Sequence, residues 1–145
     1  MNKRRPVAAT LAAFALALSG VALSAPAAQA AECGSTLGNW ETFGLTAVYE
    51  GLVPPQPGSG SGAVVTVTLA GLTATAVGTF YPSYLNSAVS PVTLSGTTLT
   101  WAGQNGAQIR LEAFQCNPGG RVTDAGLSIL VDGQTVGFAG MNRVL

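Results

Sequence analysis

The stretch LSILVDGQTVGFAG, residues 127–140, reads as two strands folded about a two-residue turn. Leu127, Ile129 and Val131 share one side of the first half, with Ser128 and Leu130 on the other. A period of two with β-branched residues marks a half-buried strand. Asp132-Gly133 then tolerates the positive φ angles that a tight hairpin demands. The same device recurs as Asn105-Gly106 between TTLTWAGQ and AQIRLEAF, and more weakly as Ser95-Gly96 and Ala70-Gly71.

Working outward, AVVTVTLA alternates Val65, Val67 and Leu69 against Thr66 and Thr68, and AQIRLEAF alternates Ile109, Leu111 and Ala113 against Gln108, Arg110 and Glu112. These patterns predict about eight strands, near 43–50, 63–69, 72–80, 91–95, 97–102, 107–115, 125–131 and 134–141. No segment after residue 30 carries a capped helical stripe. The expected fold is all-β: a single antiparallel β-sandwich or flattened β-barrel, rich in hairpins. GLVPPQPGSGSG, residues 51–62, and CNPGGRVTDAG, residues 116–126, read as connections.

The first thirty residues read as a secretory signal peptide. Lys3, Arg4 and Arg5 precede an apolar run, and Ala28-Gln29-Ala30 supplies the small-x-small pattern for cleavage before Ala31. Glu32 stands directly before Cys33, where a lipid-modification box needs a small residue. The style of this segment is bacterial, and residues 31–145 are expected to form one secreted domain.

That domain has three arginines (Arg110, Arg121, Arg143) against six acids, a net charge of −3, and neither Lys nor His. Nucleic-acid binding needs several cations to displace counterions, so it is not expected. No later stretch is apolar enough to span a bilayer. Cys33 and Cys116 are the only cysteines, and in an exported chain they are expected to pair. Closing so long a loop stabilises by roughly 4–5 kcal/mol on the chain-entropy relation.

The chemistry is sparse. Without histidine the usual general base and metal ligand are missing, and without lysine so are amine nucleophiles. No nucleophile elbow, phosphate loop or metal-ligand cluster is present, so no catalytic residue, metal or cofactor is expected. Carboxylates remain: a two-carboxylate glycoside hydrolase would have to draw on Glu41, Glu50, Glu112 or Asp132. Asp132 is accounted for by its turn and Glu112 by Arg110 as a same-face partner.

Among the aromatics, Trp40, Phe43, Phe114 and Phe138 are expected in the core or beside the disulfide, with Trp101 and Phe80 inward. Leu72, Ala74, Ala76 and Gly78 give the third strand a very small face, which admits close packing or a ligand in a barrel. The many outward threonines suit an exposed sheet face. Tyr81 and Tyr84 flank Pro82 on a connection shared with Ser83, Asn86 and Ser87. Rigid rings with adaptable polar groups suit a contact surface, so Tyr81, Tyr84 and Asn86 are the candidate binding residues.

Four functions fit. The foremost is a secreted non-catalytic binding protein with an extracellular protein or carbohydrate partner, using this loop and the one after Cys116. The others are a carrier of a small apolar ligand in a β-barrel, a carboxylate-only glycoside hydrolase and a structural extracellular protein. Oligomeric state is left open.

Overall fold

The computed structural model describes residues 32–40, 46–55, 57–58, 60–86 and 89–145. The expected signal segment, Glu41, Phe43 and Ser87 lie outside them. The described chain runs through helical turn α1 (Leu37–Trp40), strands β1 (Thr46–Val53), β2 (Ala63–Ala70) and β3 (Thr73–Gly78), and helical turn α2 (Pro82–Leu85). Strands β4 (Ser90–Pro91), β5 (Thr93–Ser95), β6 (Thr98–Ala102), β7 (Gln108–Cys116), β8 (Val122–Val131) and β9 (Gln134–Arg143) follow.

All nine strands belong to one antiparallel sheet ordered β4-β3-β2-β1-β9-β8-β7-β6-β5. Its two outer members are neighbours in the chain, separated only by Val92. The segment predicted as one strand over 91–95 therefore serves both ends of the sheet. Ser90 and Pro91 pair with β3, and residues 93–95 pair with β6. The Val92 N–H donates to the Leu72 carbonyl at 2.8 Å and the Ser90 hydroxyl to the Ala102 carbonyl at 3.1 Å, linking the two sides. The result is a nearly closed, barrel-like sheet in which each strand neighbours the next along the chain.

Inside, ladder partners build layers of apolar side chains. Leu99, Leu111, Leu127 and Ala139 stand in register across four strands, as do Tyr49, Val67 and Ala76 across three, all buried. Slipping one strand by a residue would turn its apolar set outward, so each buried layer holds the register. The small third-strand face is used here: Ala74 and Ala76 are wholly buried. Trp101 is also buried, with an indole N–H that has no partner among the described residues. That omission costs about 1–3 kcal/mol, less than the roughly 5 kcal/mol gained by burying so large a ring.

The turns follow their chemistry. Asp132 and Gly133 take φ of 51° and 78°, and Asn105 and Gly106 take 53° and 75°, both central residues being positive as in a type I′ turn. In the other two hairpins the glycine is the first central residue, Gly71 and Gly96, each at φ 60°. The turn dipeptides are thus Gly71-Leu72 and Gly96-Thr97, one residue beyond the expected ones.

Two strand boundaries differ from expectation, and a helical turn precedes the first strand. β1 continues through Gly51 to Val53, because a residue without a side chain is needed there: a Cβ would lie 2.6 Å from Met141 Sδ and 2.8 Å from the Gly140 carbonyl. β8 begins at Val122, so the connection after Cys116 shortens to residues 117–121. α1 is fastened by a reciprocal cap in which the Asn39 N–H donates to Thr36 Oγ1 at 3.3 Å and the Thr36 N–H donates to Asn39 Oδ1 at 3.1 Å.

Cys33 and Cys116 form a disulfide. Beside it the Trp40 indole donates to the Gly34 carbonyl at 3.0 Å and meets the Tyr49 ring edge-on at 5.9 Å. Asn39 Nδ2 donates to the Gly120 carbonyl at 2.7 Å. These contacts close the end of the sheet that carries the 117–121 connection.

Candidate functional site

At the other end, β1 and β9 part company. Their ladder consists of Tyr49↔Arg143 and Glu50↔Asn142, continued toward the C-terminus by bonds between Val48 and residues 144 and 145. β9 runs on from Met141 back to Gln134 paired with β8, but among the described residues nothing on β1 pairs with it there. Where the strands separate lies a cleft of about 460 Å³. Val53, Pro54 and Ala63 form one wall, residues 136–138 the other, and Phe80 and Tyr81 stand between them.

Tyr81 is held tightly. Its φ of 42° and ψ of 56° place a bulky residue in the left-handed region, which costs about 1–2 kcal/mol. Local packing maintains it. Its ring meets buried Phe80 edge-on at 4.9 Å, stacks with Tyr84 at 6.4 Å, and lies on the bare backbone of Gly137, where a Cβ would be 2.9 Å from Tyr81 Cε2. Pro82 follows as the first helical residue, where its missing N–H is no loss. Leu85 then turns inward and is buried. The stretch read as a plain connection is therefore a single helical turn, and Tyr81 retains 42% of its exposure.

Tyr84 is half-buried behind Tyr81, and Asn86 acts as a clamp. Asn86 Oδ1 accepts from the Gly78 N–H at 3.0 Å and its Nδ2 donates to the Gly78 carbonyl at 3.3 Å. From the β6–β7 connection, the Gln104 N–H donates to the Tyr84 carbonyl at 2.8 Å and Asn105 Nδ2 to the Ser83 carbonyl at 2.6 Å. Gln104 Nε2 donates to the Asn86 carbonyl. Of the three candidates, Tyr81 lines the cleft, Tyr84 supports it, and the Asn86 amide is committed to the backbone. The 117–121 connection lies at the opposite end of the sheet, so the two expected contact loops do not form one surface.

Phe114 and Phe138 correct the expectation that they are core residues or flank the disulfide: both lie outside. β7 turns Ile109 and Leu111 inward, and β9 turns Ala139 and Met141 inward, which leaves each phenylalanine in the opposite phase. Phe114 also falls at the register shift between Ala113 and Gln115. The alternation of Ile109, Leu111 and Ala113 contained this signal, outweighed by the general preference of phenylalanine for the interior.

The remaining ionisable groups are spread out. Glu50 and Glu112 are exposed on strands separated by β9 and β8, and Asp132 sits in its hairpin. Arg110 and Glu112 share a face without an ion pair; the Arg110 guanidinium donates to Gln108 Oε1 at 3.2 Å. Among the described residues no three of His, Cys, Asp or Glu gather where they could hold a metal ion, and no helix is long and apolar enough to cross a membrane.

These features define a disulfide-linked, barrel-like antiparallel protein with a closed end and, at the other end, a cleft. The chain matches no protein-family model, no curated protein and no solved structure.

Proposed function

We propose that the chain is a small secreted bacterial protein, cleaved before Ala31, that binds an extracellular protein or carbohydrate without catalysis. One observation carries this reading: the cleft where β1 and β9 separate presents a rigid, partly exposed Tyr81 at its edge. A ring already fixed loses little rotamer freedom on binding, so contact there is retained as affinity. The disulfide and the signal-like N-terminus agree with an oxidising, extracellular setting.

The test is capture from culture medium and cell-wall fractions on immobilised mature protein, beside a Tyr81→Ala/Tyr84→Ala variant whose fold is verified by circular dichroism. A ligand retained by the wild type and lost by the variant supports the site. Equal capture by both, or capture by neither, removes it.

A further inference from the structure

The outer face of β6 to β9 carries a second arrangement, which meets the cleft only at Phe138. Strand alternation places Thr98 and Thr100 of β6, Gln108, Arg110 and Glu112 of β7, and Ser128 of β8 along a groove of about 600 Å³. Ladder pairing sets Thr100, Arg110 and Ser128 in one row and Thr98, Glu112 and Gly126 in the next. Beyond Glu112 the face becomes aromatic. Phe114 and Phe138 are 56% and 54% exposed, with ring centroids 6.5 Å apart and planes tilted by 32°. They lie over Gly126, where a Cβ would stand 2.4 Å from Phe114 Cζ and 3.0 Å from Phe138 Cε2.

Packing accounts for the inner faces of these rings, which cover the Gly126 backbone. Their outer faces are left in water, forgoing part of the roughly 1.5–3 kcal/mol that full burial of a phenylalanine is worth. The groove beside them keeps hydrogen-bonding capacity. The Glu112 carboxylate and the Thr98 and Ser128 hydroxyls make no side-chain hydrogen bond among the described residues. Its one cation and one anion balance, so it attracts neither a polyanion nor a polycation.

We infer that this face binds an uncharged polysaccharide chain. A pyranose ring has an apolar C–H face and a rim of hydroxyls that both donate and accept. Phe114 and Phe138 take the apolar faces of neighbouring sugars. Arg110 and Gln108 supply donors, and Glu112 and the hydroxyls supply acceptors, for the rim. A stable protein partner would instead require about 800 Å² of this surface with an apolar core, and the groove beside the rings is lined by threonine, serine, glutamine, arginine and glutamate with Leu130 as its one large apolar side chain.

Co-sedimentation of the folded mature protein with cellulose, chitin, xylan and insoluble β-1,3-glucan tests the inference, with analytical ultracentrifugation of the free protein in parallel. Wild type and Tyr81→Ala are expected to bind at least one of the four. Phe114→Ala, which leaves the cleft wall intact, should bind it about tenfold more weakly or worse, and Phe114→Tyr/Phe138→Tyr should retain binding, separating the loss of rings from a loss of fold. Retention on none of the four overturns the inference, as does equal retention by the alanine variant. A wild-type dimer that the alanine variant dissolves would assign the rings to self-association and overturn it as well. Loss in Tyr81→Ala alone would move binding to the cleft.

Discussion

Replacing both Cys33 and Cys116 by alanine is expected to lower the thermal midpoint by about 19 °C. The bridge closes a sequence separation of 83 residues, which the chain-entropy relation converts to about 4.5 kcal/mol at 25 °C. Unfolding about 115 residues releases about 0.24 kcal/mol per kelvin, and the ratio sets the shift. The folded state supplies the complementary expectation. Trp40 remains buried against Tyr49, and Asn39 remains bonded to Gly120, so the closed end should keep its form without the bridge. Thermal denaturation by circular dichroism, with and without reductant and on the double variant, measures the shift. Tryptophan fluorescence reports on the folded state, and urea titration should give a larger m-value for the variant, whose unfolded chain is less confined. A fall in midpoint of less than about 5 °C would refute the reasoning. So would an unchanged m-value with altered native fluorescence, because the bridge would then act by shaping the folded end.

Two further substitutions probe individual contacts. Tyr49→Phe removes a buried hydroxyl that donates to the Val122 carbonyl at 2.9 Å, and is expected to destabilise by about 1–3 kcal/mol as read from the urea midpoint at unchanged m. Asn86→Ala removes both side-chain bonds to Gly78; about 1–2 kcal/mol should be lost, with faster amide exchange in α2, and unchanged exchange there would show that Gln104 and Asn105 hold the turn without it.

Legibility in the sequence varied with the range of the interaction involved. Val65, Val67 and Leu69, or Ile109 and Leu111, reveal their strands because a period of two is a property of a few consecutive residues. Asp132-Gly133 reveals its hairpin because backbone preference is local to the two residues. Gly51 misleads for the complementary reason. Glycine commonly marks a turn, yet here it continues a strand because Met141 and Gly140, ninety residues away in the chain, occupy the place of its side chain. Tyr81 and Tyr84 could be recognised as interrupted by Pro82, but the left-handed backbone of Tyr81 depends on Gly137 and Phe80 packing around it. The groove beside Phe114 and Phe138 was invisible because it is assembled from five strands, β5 to β9.

By itself the sequence determined an all-β chain, the approximate places of its strands, the Asn105-Gly106 and Asp132-Gly133 turns and the pairing of its only two cysteines. Each rests on local backbone preference or on the absence of any other choice. Tertiary structure decided the closure of the sheet through residues 90–95, the parting of β1 from β9 and the outward placement of Phe114 and Phe138. Those are relations between segments distant in the chain. They are set by which side chains fill the shared interior, and no single stretch of sequence contains that information.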